Sequence, residues 1–510
     1  MDARLVPVLP LRLLSALIVA GALLSGSATA VAAPVLVMDR AGSVRRAEDP
    51  ALPPLRSPLG ELPALRRAYA GGGPRAHAAA TTTTPALRRT AARNVRRALS
   101  RLERRRQLTR AEADGYRATL NDALRTAARL GGARGAAIQS VLNNTSYMAS
   151  SGNLTKPRLP AAFLTLRRNR EWWASGRLLS YGERVEFNDS ELVWQYYPGE
   201  GIQLQVLGTF GKANGLWMSK DKAKLANLLD EMTAIASARG RALAWEYYFY
   251  FGGGKPPWAS GMAQATGLQS LARASQLLRE PAYLETAKRG LRLFQLDAPT
   301  GVGVKTRAGR RFLLYSYAPG QQVLNAFVQT LVGLEDYAAI SGDARARRLF
   351  RAGERQARLD LRATDTGAWS LYQVGGSEAD LGYQELVTGF ISNLCDRTEI
   401  GFWCEADRRF ARYLREPPAL SLLTRRVRAG AQTLVRFRVS KMSKVGMTIR
   451  SAAGATALST SATVSRGAHG YSWRVPSSPG LYDVALSGTD LAGNSGRETF
   501  TIRVLGRART

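Results

Sequence analysis

Histidine is almost missing from this chain of 510 residues, which carries only His77 and His469. Both fall outside the stretch that reads as the core domain, so histidine triads, dyads and zinc sites are excluded there. Cysteine is as scarce, with Cys395 and Cys404 alone. In an oxidising compartment a lone pair at this spacing reads as a small disulfide loop, since a metal site would need further ligands close by. Acidic residues are outnumbered, 39 against 72 Lys plus Arg, for a net charge of +33. A field of that sign gathers nucleic acid, anionic lipid or acidic polysaccharide; the bland alternative is an Arg-rich composition that is merely solvated. There is no helix-turn-helix, RRM or zinc-finger signature, which argues against nucleic acid. After the first thirty residues no run approaches the roughly 20 apolar residues of a membrane span.

The amino terminus has Arg4 and Arg12, an apolar run from Leu13 to Leu24 and small residues ending in Ala28-Thr29-Ala30. That is the form of a secretory signal over residues 1–30, and it implies a secreted or cell-envelope protein. A membrane anchor is the rival, but the run is short for one. Residues 31–91, rich in Pro, Ala, Arg and Thr, read as a disordered linker.

From Ala92 to Leu142 leucines recur at helical spacing between Arg-rich faces, which predicts a helical hairpin. Further helices are predicted over 215–239, 261–279, 281–296, 322–341, 344–361 and 382–394. Short strands are expected between Trp172 and Phe210. Paired helices with loops gathered at one end suggest an α/α toroid over 92–417, with an ordinary helical bundle as the alternative. Beyond Pro417 alternating segments such as TLVRFRV and ETFTIRV, separated by SSPG and LAGNSG, predict a small immunoglobulin-like β-sandwich over 420–506. The fold class is therefore mainly α with short β elements, followed by an all-β module.

Chemistry is concentrated where aromatic, Gly and amide residues cluster. GGGK at 252–255 is followed by Pro-Pro and not by Ser or Thr opening a helix, so it is a glycine turn and not a phosphate loop. In Trp245, Tyr247, Tyr248, Phe249, Tyr250 and Phe251, six aromatics in seven positions cannot all face one way, so some are expected to line a surface or cleft.

The blocks WASGMAQ (258–264), YSYAPGQQVLNAF (315–327), LVGLEDY (331–337), DTGAWSLY (365–372) and LGYQE (381–385) occur in an order similar to that of D-glucuronyl C5-epimerases. The resemblance implies catalytic tyrosines at Tyr317, Tyr372 and Tyr383, with Tyr315 a rival for the first. Asn325, Trp258 and Gln264, inside the same blocks, join Tyr315, Arg311, Glu246 and Glu385 as candidate substrate-binding residues. Where animal members carry Asp-Leu-Arg after the turn tyrosine and His after the last one, this chain has Gln373-Val374-Gly375 and Gln384-Glu385.

Such an enzyme inverts uronic acid residues, D-glucuronate to L-iduronate, inside a heparan-sulfate-like acidic polysaccharide. The C5 proton, acidified by its carboxylate, leaves one face and returns on the other, so two acid/base groups must flank the ring. A phenol with its ordinary pKa near 10 needs nearby cations to act as a base. Arg311 is the candidate cation for the charge that builds on the carboxylate, and Glu246 and Glu385 are candidate carboxylate bases in place of a tyrosine. No cofactor or metal is required, and a homodimer is left open. The rivals are a polysaccharide lyase on the same substrate and a non-catalytic glycan-binding envelope protein.

Overall fold

In the computed structural model of the chain, residues 33–52 and 84–506 are described. The leader read at 1–30 and His77 lie outside them.

Part of the span expected to be linker belongs to the fold. Strands β1 (Ala33–Met38) and β2 (Val44–Asp49) form an antiparallel hairpin, and β1 runs parallel beside β3 (Arg184–Phe187). With β4 (Trp194–Tyr197) and β5 (Gly201–Leu204) they make a sheet in the order β2-β1-β3-β4-β5. Ala33, Val35, Leu36 and Met38 are buried, and Leu52 packs with Ala33 and Val193. The apolar APVLVM run is too short to show in the averaged composition of 31–91, which is why the linker reading fails here. At its other end α1 (Pro85–Arg104) begins inside the expected linker, with Pro in its first turn and the Thr84 hydroxyl accepting from Leu87 N at 3.2 Å.

The hairpin expected from residue 92 is a group of four helices: α1, α2 (Arg110–Leu130), α3 (Gly132–Ser150) and α4 (Leu159–Ser175). Gly131 and Gly132, at φ of 57° and 46°, break the chain between α2 and α3, a conformation that costs glycine little. Helix α3 is buried on nearly every side, so its sequence lacks the stripe that reveals an amphipathic helix.

Eight further helices follow: α5 (Val206–Met218), α6 (Lys222–Ala234), α7 (Gly261–Leu278), α8 (Pro281–Leu291), α9 (Leu324–Ser341), α10 (Ala344–Thr364), α11 (Leu381–Thr398) and α12 (Gly401–Tyr413). The single helix predicted over 215–239 is the pair α5 and α6, capped anew at Asp221, whose carboxylate accepts from Lys224 N at 3.1 Å. Helix α7 packs on α5, α8 and α9, and α9 on α10 and α11. Glycines permit the closest crossings: a Cβ on Gly333 of α9 would meet the Ala265 backbone of α7 at 2.6 Å. Cys395 and Cys404 are joined as a disulfide between α11 and α12.

The carboxy-terminal region is separate and all β. Its strands β12 (Leu420–Leu422), β13 (Arg426–Arg428), β14 (Gln432–Val439), β15 (Ser443–Ser451), β16 (Thr456–Val464), β17 (Gly467–Arg474), β18 (Gly480–Asp490) and β19 (Ser495–Leu505) form two sheets, in the orders β12-β14-β17 and β13-β19-β18-β15-β16. Val435, Phe437 and Trp473 from the first sheet meet Met447, Val484 and Ile502 from the second in one core. Burial alternates along β14 (Gln432–Val439), as a half-buried strand requires. His469 lies in β17 (Gly467–Arg474), away from the helices.

Two buried charges fasten this region to the helical one. Lys441 Nζ donates to Tyr413 O at 2.7 Å and Glu416 O at 2.6 Å, and pairs with Asp490 at 2.6 Å. Glu378 accepts the backbone N–H of Met442 at 3.1 Å and of Arg466 at 2.8 Å.

Candidate active site

A cleft of about 720 Å³ opens between the end of α3, the 253–258 loop, the 299–300 turn and the 316–317 segment. Three cations line it, Arg158, Arg239 and Lys255, and no Asp or Glu is among its lining residues. Tyr147, Trp258 and Tyr317 give it aromatic walls.

The floor is built on Glu246, which begins the short strand β8 (Glu246–Tyr247) and has a fully buried side chain. Its carboxylate accepts from Arg158 Nε at 2.7 Å and Nη2 at 3.0 Å, from Arg239 Nη1 at 2.6 Å and from Ser237 Oγ at 2.6 Å. Burial alone would raise its pKa, and the two guanidiniums with Ser237 more than offset this, holding the carboxyl below its ordinary value. A carboxylate so occupied is a structural anion and not an open base. Arg239 also donates to Pro257 O at 3.1 Å, Thr300 O at 2.7 Å and Pro299 O at 2.7 Å, with Ser316 Oγ at 3.5 Å. One side chain thus ties three loops of the rim to the floor.

Tyr317 is half-buried on the cleft wall. Its ring stacks on Tyr315 with centroids 5.4 Å apart and meets Trp258 edge-on at 5.6 Å. Trp258 is fixed by its Nε1–H to Phe249 O at 2.8 Å and by Tyr247, stacked at 4.1 Å. Gly254 lies against the Tyr317 ring, so closely that a Cβ would overlap it.

Tyr372 and Tyr383 are not among the residues lining this cleft; both are buried, with ring centroids 4.4 Å apart. Asp380 caps α11, accepting from Tyr383 N at 2.9 Å, and so sets Tyr383 in the first turn. The Tyr383 hydroxyl donates to Asn325 Oδ1 in α9. Burial and the neighbouring Tyr372 push its pKa well above the ordinary phenol value, which holds the proton on it. The loop that carries Tyr372 is hydrogen-bonded to the loop that carries Tyr317: Val374 N donates to Gln322 O at 3.3 Å and Leu324 N to Tyr372 O at 3.4 Å.

Other candidates serve the scaffold. Arg311 makes a two-pronged pair with Asp360, 2.7 Å on each arm, and does not line the cleft, so it is not the cation the cleft offers. Gln264 is buried, donating to Leu243 O at 3.0 Å and Gly290 O at 3.1 Å. Glu385 is half-exposed on α11. The aromatic run corrects the expectation that its members would divide between core and cleft. Trp245, Tyr247, Tyr248, Phe249 and Phe251 are all buried, and Tyr250 is half-buried against Tyr147 at 5.3 Å. Both faces of this segment are interior, so alternation does not separate inside from outside.

Sequence reasoning missed Arg158, Arg239, Lys255 and Glu200. Glu200, near the Tyr147–Tyr250 pair, accepts from Asn144 Nδ2 at 2.9 Å and Tyr250 N at 3.3 Å. Burial pushes its pKa up to about 7 against those bonds. Lys255 stood within the GGGK turn already read from the sequence.

Residues 239–409 match the family model described as D-glucuronyl C5-epimerase C-terminus. Over 133 residues the chain is 30% identical to the D-glucuronyl C5-epimerase of Caenorhabditis elegans, covering 23% of this chain and 21% of that protein. Over 151 residues it is 25% identical to an uncharacterized protein of Methanocaldococcus jannaschii, covering 28% and 49%. The chain thus spans less than half the length of either curated relative. Among solved structures, the endo-β-1,4-glucanase CMCax from Acetobacter xylinum aligns over 39% of this chain and 66% of its own at 12% identity and a TM-score of 0.29, a likeness too slight to carry an argument. The likeness to D-glucuronyl C5-epimerases is thus carried by the 239–409 segment. That segment holds Arg239, Glu246, Lys255 and Trp258 together with the three tyrosines of the expected catalytic set.

Proposed function

We propose that the chain is an exported uronyl C5-epimerase whose cleft receives a uronic acid residue of an acidic polysaccharide. The observation that carries this reading is Tyr317 on the wall of a cleft lined by three cations and no carboxylate, within the family segment. Trp258, Tyr147 and the Tyr317 ring offer faces for sugar packing. Tyr317 is one acid/base group at C5. Tyr372 on the adjoining loop and Tyr383 in the first turn of α11 are the candidates for the other. The proton leaves C5, the electron pair spreads into the carboxylate, and a proton returns to the opposite face to give the epimer. Conversion of D-glucuronate to L-iduronate is the direction the family name supports. An α/α toroid for the helical domain and an immunoglobulin-like identity for the sandwich accompany this reading, as does cleavage of the leader after Ala30.

The test is incubation with glucuronate-containing polymers in heavy water, followed by NMR. Deuterium at C5 with iduronate signals is expected. Unsaturated uronate ends would instead select a lyase, in which the same carbanion expels the C4 substituent. Binding of the polymers without any C5 exchange would leave a glycan-binding protein.

A further inference from the structure

We propose that Lys255 is the residue that takes the substrate's carboxylate, and that it is the cation against which charge accumulates when C5 loses its proton. This deepens the reading of the cleft as a uronate site and rests on it.

Of the three cations lining the cleft, two are already occupied. Arg158 gives Nε and Nη2 to Glu246 and Nη1 to Asn153 O at 3.1 Å. Arg239 gives its three nitrogens to Glu246 and to the carbonyls of Pro257, Thr300 and Pro299. Their charge contributes to the field, but their donors hold up the walls. Lys255 is exposed, lines the same cleft, and among the described residues forms no ion pair and no hydrogen bond. An ammonium carries three donors and one compact charge, which suits a carboxylate arriving from solvent.

The backbone fixes where that side chain starts. Gly252 and Gly253, at φ of 54° and 87°, turn the chain, and Phe251 and Gly254 exchange backbone hydrogen bonds at 3.2 and 2.8 Å across the turn. Gly254 lies against the Tyr317 ring on one side of Lys255. On the other side Pro256 and Pro257 restrict φ, and Pro257 O is held by Arg239. The Lys255 backbone is thereby held next to the glycine that touches the phenol ring, and its side chain starts at the cleft. In a uronate the carboxyl carbon is bonded directly to C5, so the group that takes the C5 proton and the group that holds the carboxylate must be neighbours. Proton removal spreads a second negative charge into the carboxylate. A cation there gains more in the transition state than in the ground state, which is the condition for catalysis.

The test is titration calorimetry on the whole protein with two probes: an oligosaccharide of alternating glucuronate and N-acetylglucosamine, and its carboxyl-reduced counterpart with glucose for glucuronate. The wild-type protein is expected to prefer the first. Lys255→Gln should weaken that probe about tenfold or more, the worth of a charge-assisted bond, and leave the reduced probe unchanged. Lys255→Arg should restore part of the preference. Lys305→Gln, which removes the same charge from an exposed position not lining the cleft, should change neither. Equal wild-type affinity for the two probes, or unchanged discrimination in Lys255→Gln, overturns the proposal. C5 exchange is read separately, so discrimination without exchange counts against the epimerase reading alone.

Discussion

Gly254 and Tyr317 are in contact so close that no side chain fits between them. The glycine is a spacer that lets a loop backbone press the ring against Tyr315 and Trp258. Gly254→Ala is expected to push the ring away, costing about 1–3 kcal/mol of stability, as overpacking does. C5 exchange should fall with it. Tyr317→Phe keeps the ring and should leave stability nearly intact while abolishing exchange. Denaturant titration together with deuterium incorporation separates the two, and a fully active Tyr317→Phe would remove Tyr317 from the chemistry.

Glu246→Gln leaves two buried guanidiniums with no anion between them. Breaking a buried pair from one side costs about 3–5 kcal/mol, and loss of that order is expected in urea unfolding at neutral pH. The pH dependence has a definite sign. The folded pKa of Glu246 lies below its ordinary 4.5, so its contribution is present above 4.5 and fades as the pH falls through the lower, folded value. In acid below pH 4.5 the wild-type protein should lose its advantage over Glu246→Gln.

Glu200 is expected to behave in the opposite way. Its folded pKa of about 7 lies above the ordinary 4.5, so the folded state holds the proton more tightly. Its contribution is fully favourable below pH 4.5 and is lost as the pH climbs to 7, a change of up to about 3 kcal/mol. Glu200→Gln should therefore flatten the stability profile between those values. An unchanged profile would show that the carboxyl titrates normally.

The family motifs were legible because they are local: DTGAWSLY, WASGMAQ and YSYAPG are contiguous strings. Asp380 before the LGYQE helix is legible in the same way, since a cap and its partner are three residues apart. The floor of the cleft was not, because Arg158 and Glu246 are 88 residues apart in sequence and nothing near either names the other. Arg311 shows the same limit from the other side. Its neighbours fit a carboxylate-binding role, yet Asp360, 49 residues on, takes both arms of its guanidinium. Helix periodicity located α7, α9 and α10 well and missed α4, where Arg168 and Asn169 are buried beside Trp172 and Trp173, so polar and apolar residues do not sort cleanly by face.

Glu378 joins the loop between Tyr372 and Tyr383 to the β region by accepting two backbone N–H groups from it. Glu378→Ala orphans both donors, at a cost of about 1–3 kcal/mol. Calorimetry should then show the helical and β regions melting apart, with faster proteolysis around residues 414–419. A single unchanged transition would mean that Lys441 suffices to couple them.

Arg239 has a consequence for how a ligand is received. Its guanidinium laces the 257, 299–300 and 316 segments to one anchored anion, so these parts of the mouth cannot drift independently. An entering sugar meets a frame already set and forfeits little loop freedom on arrival, so more of its contact energy remains for holding it.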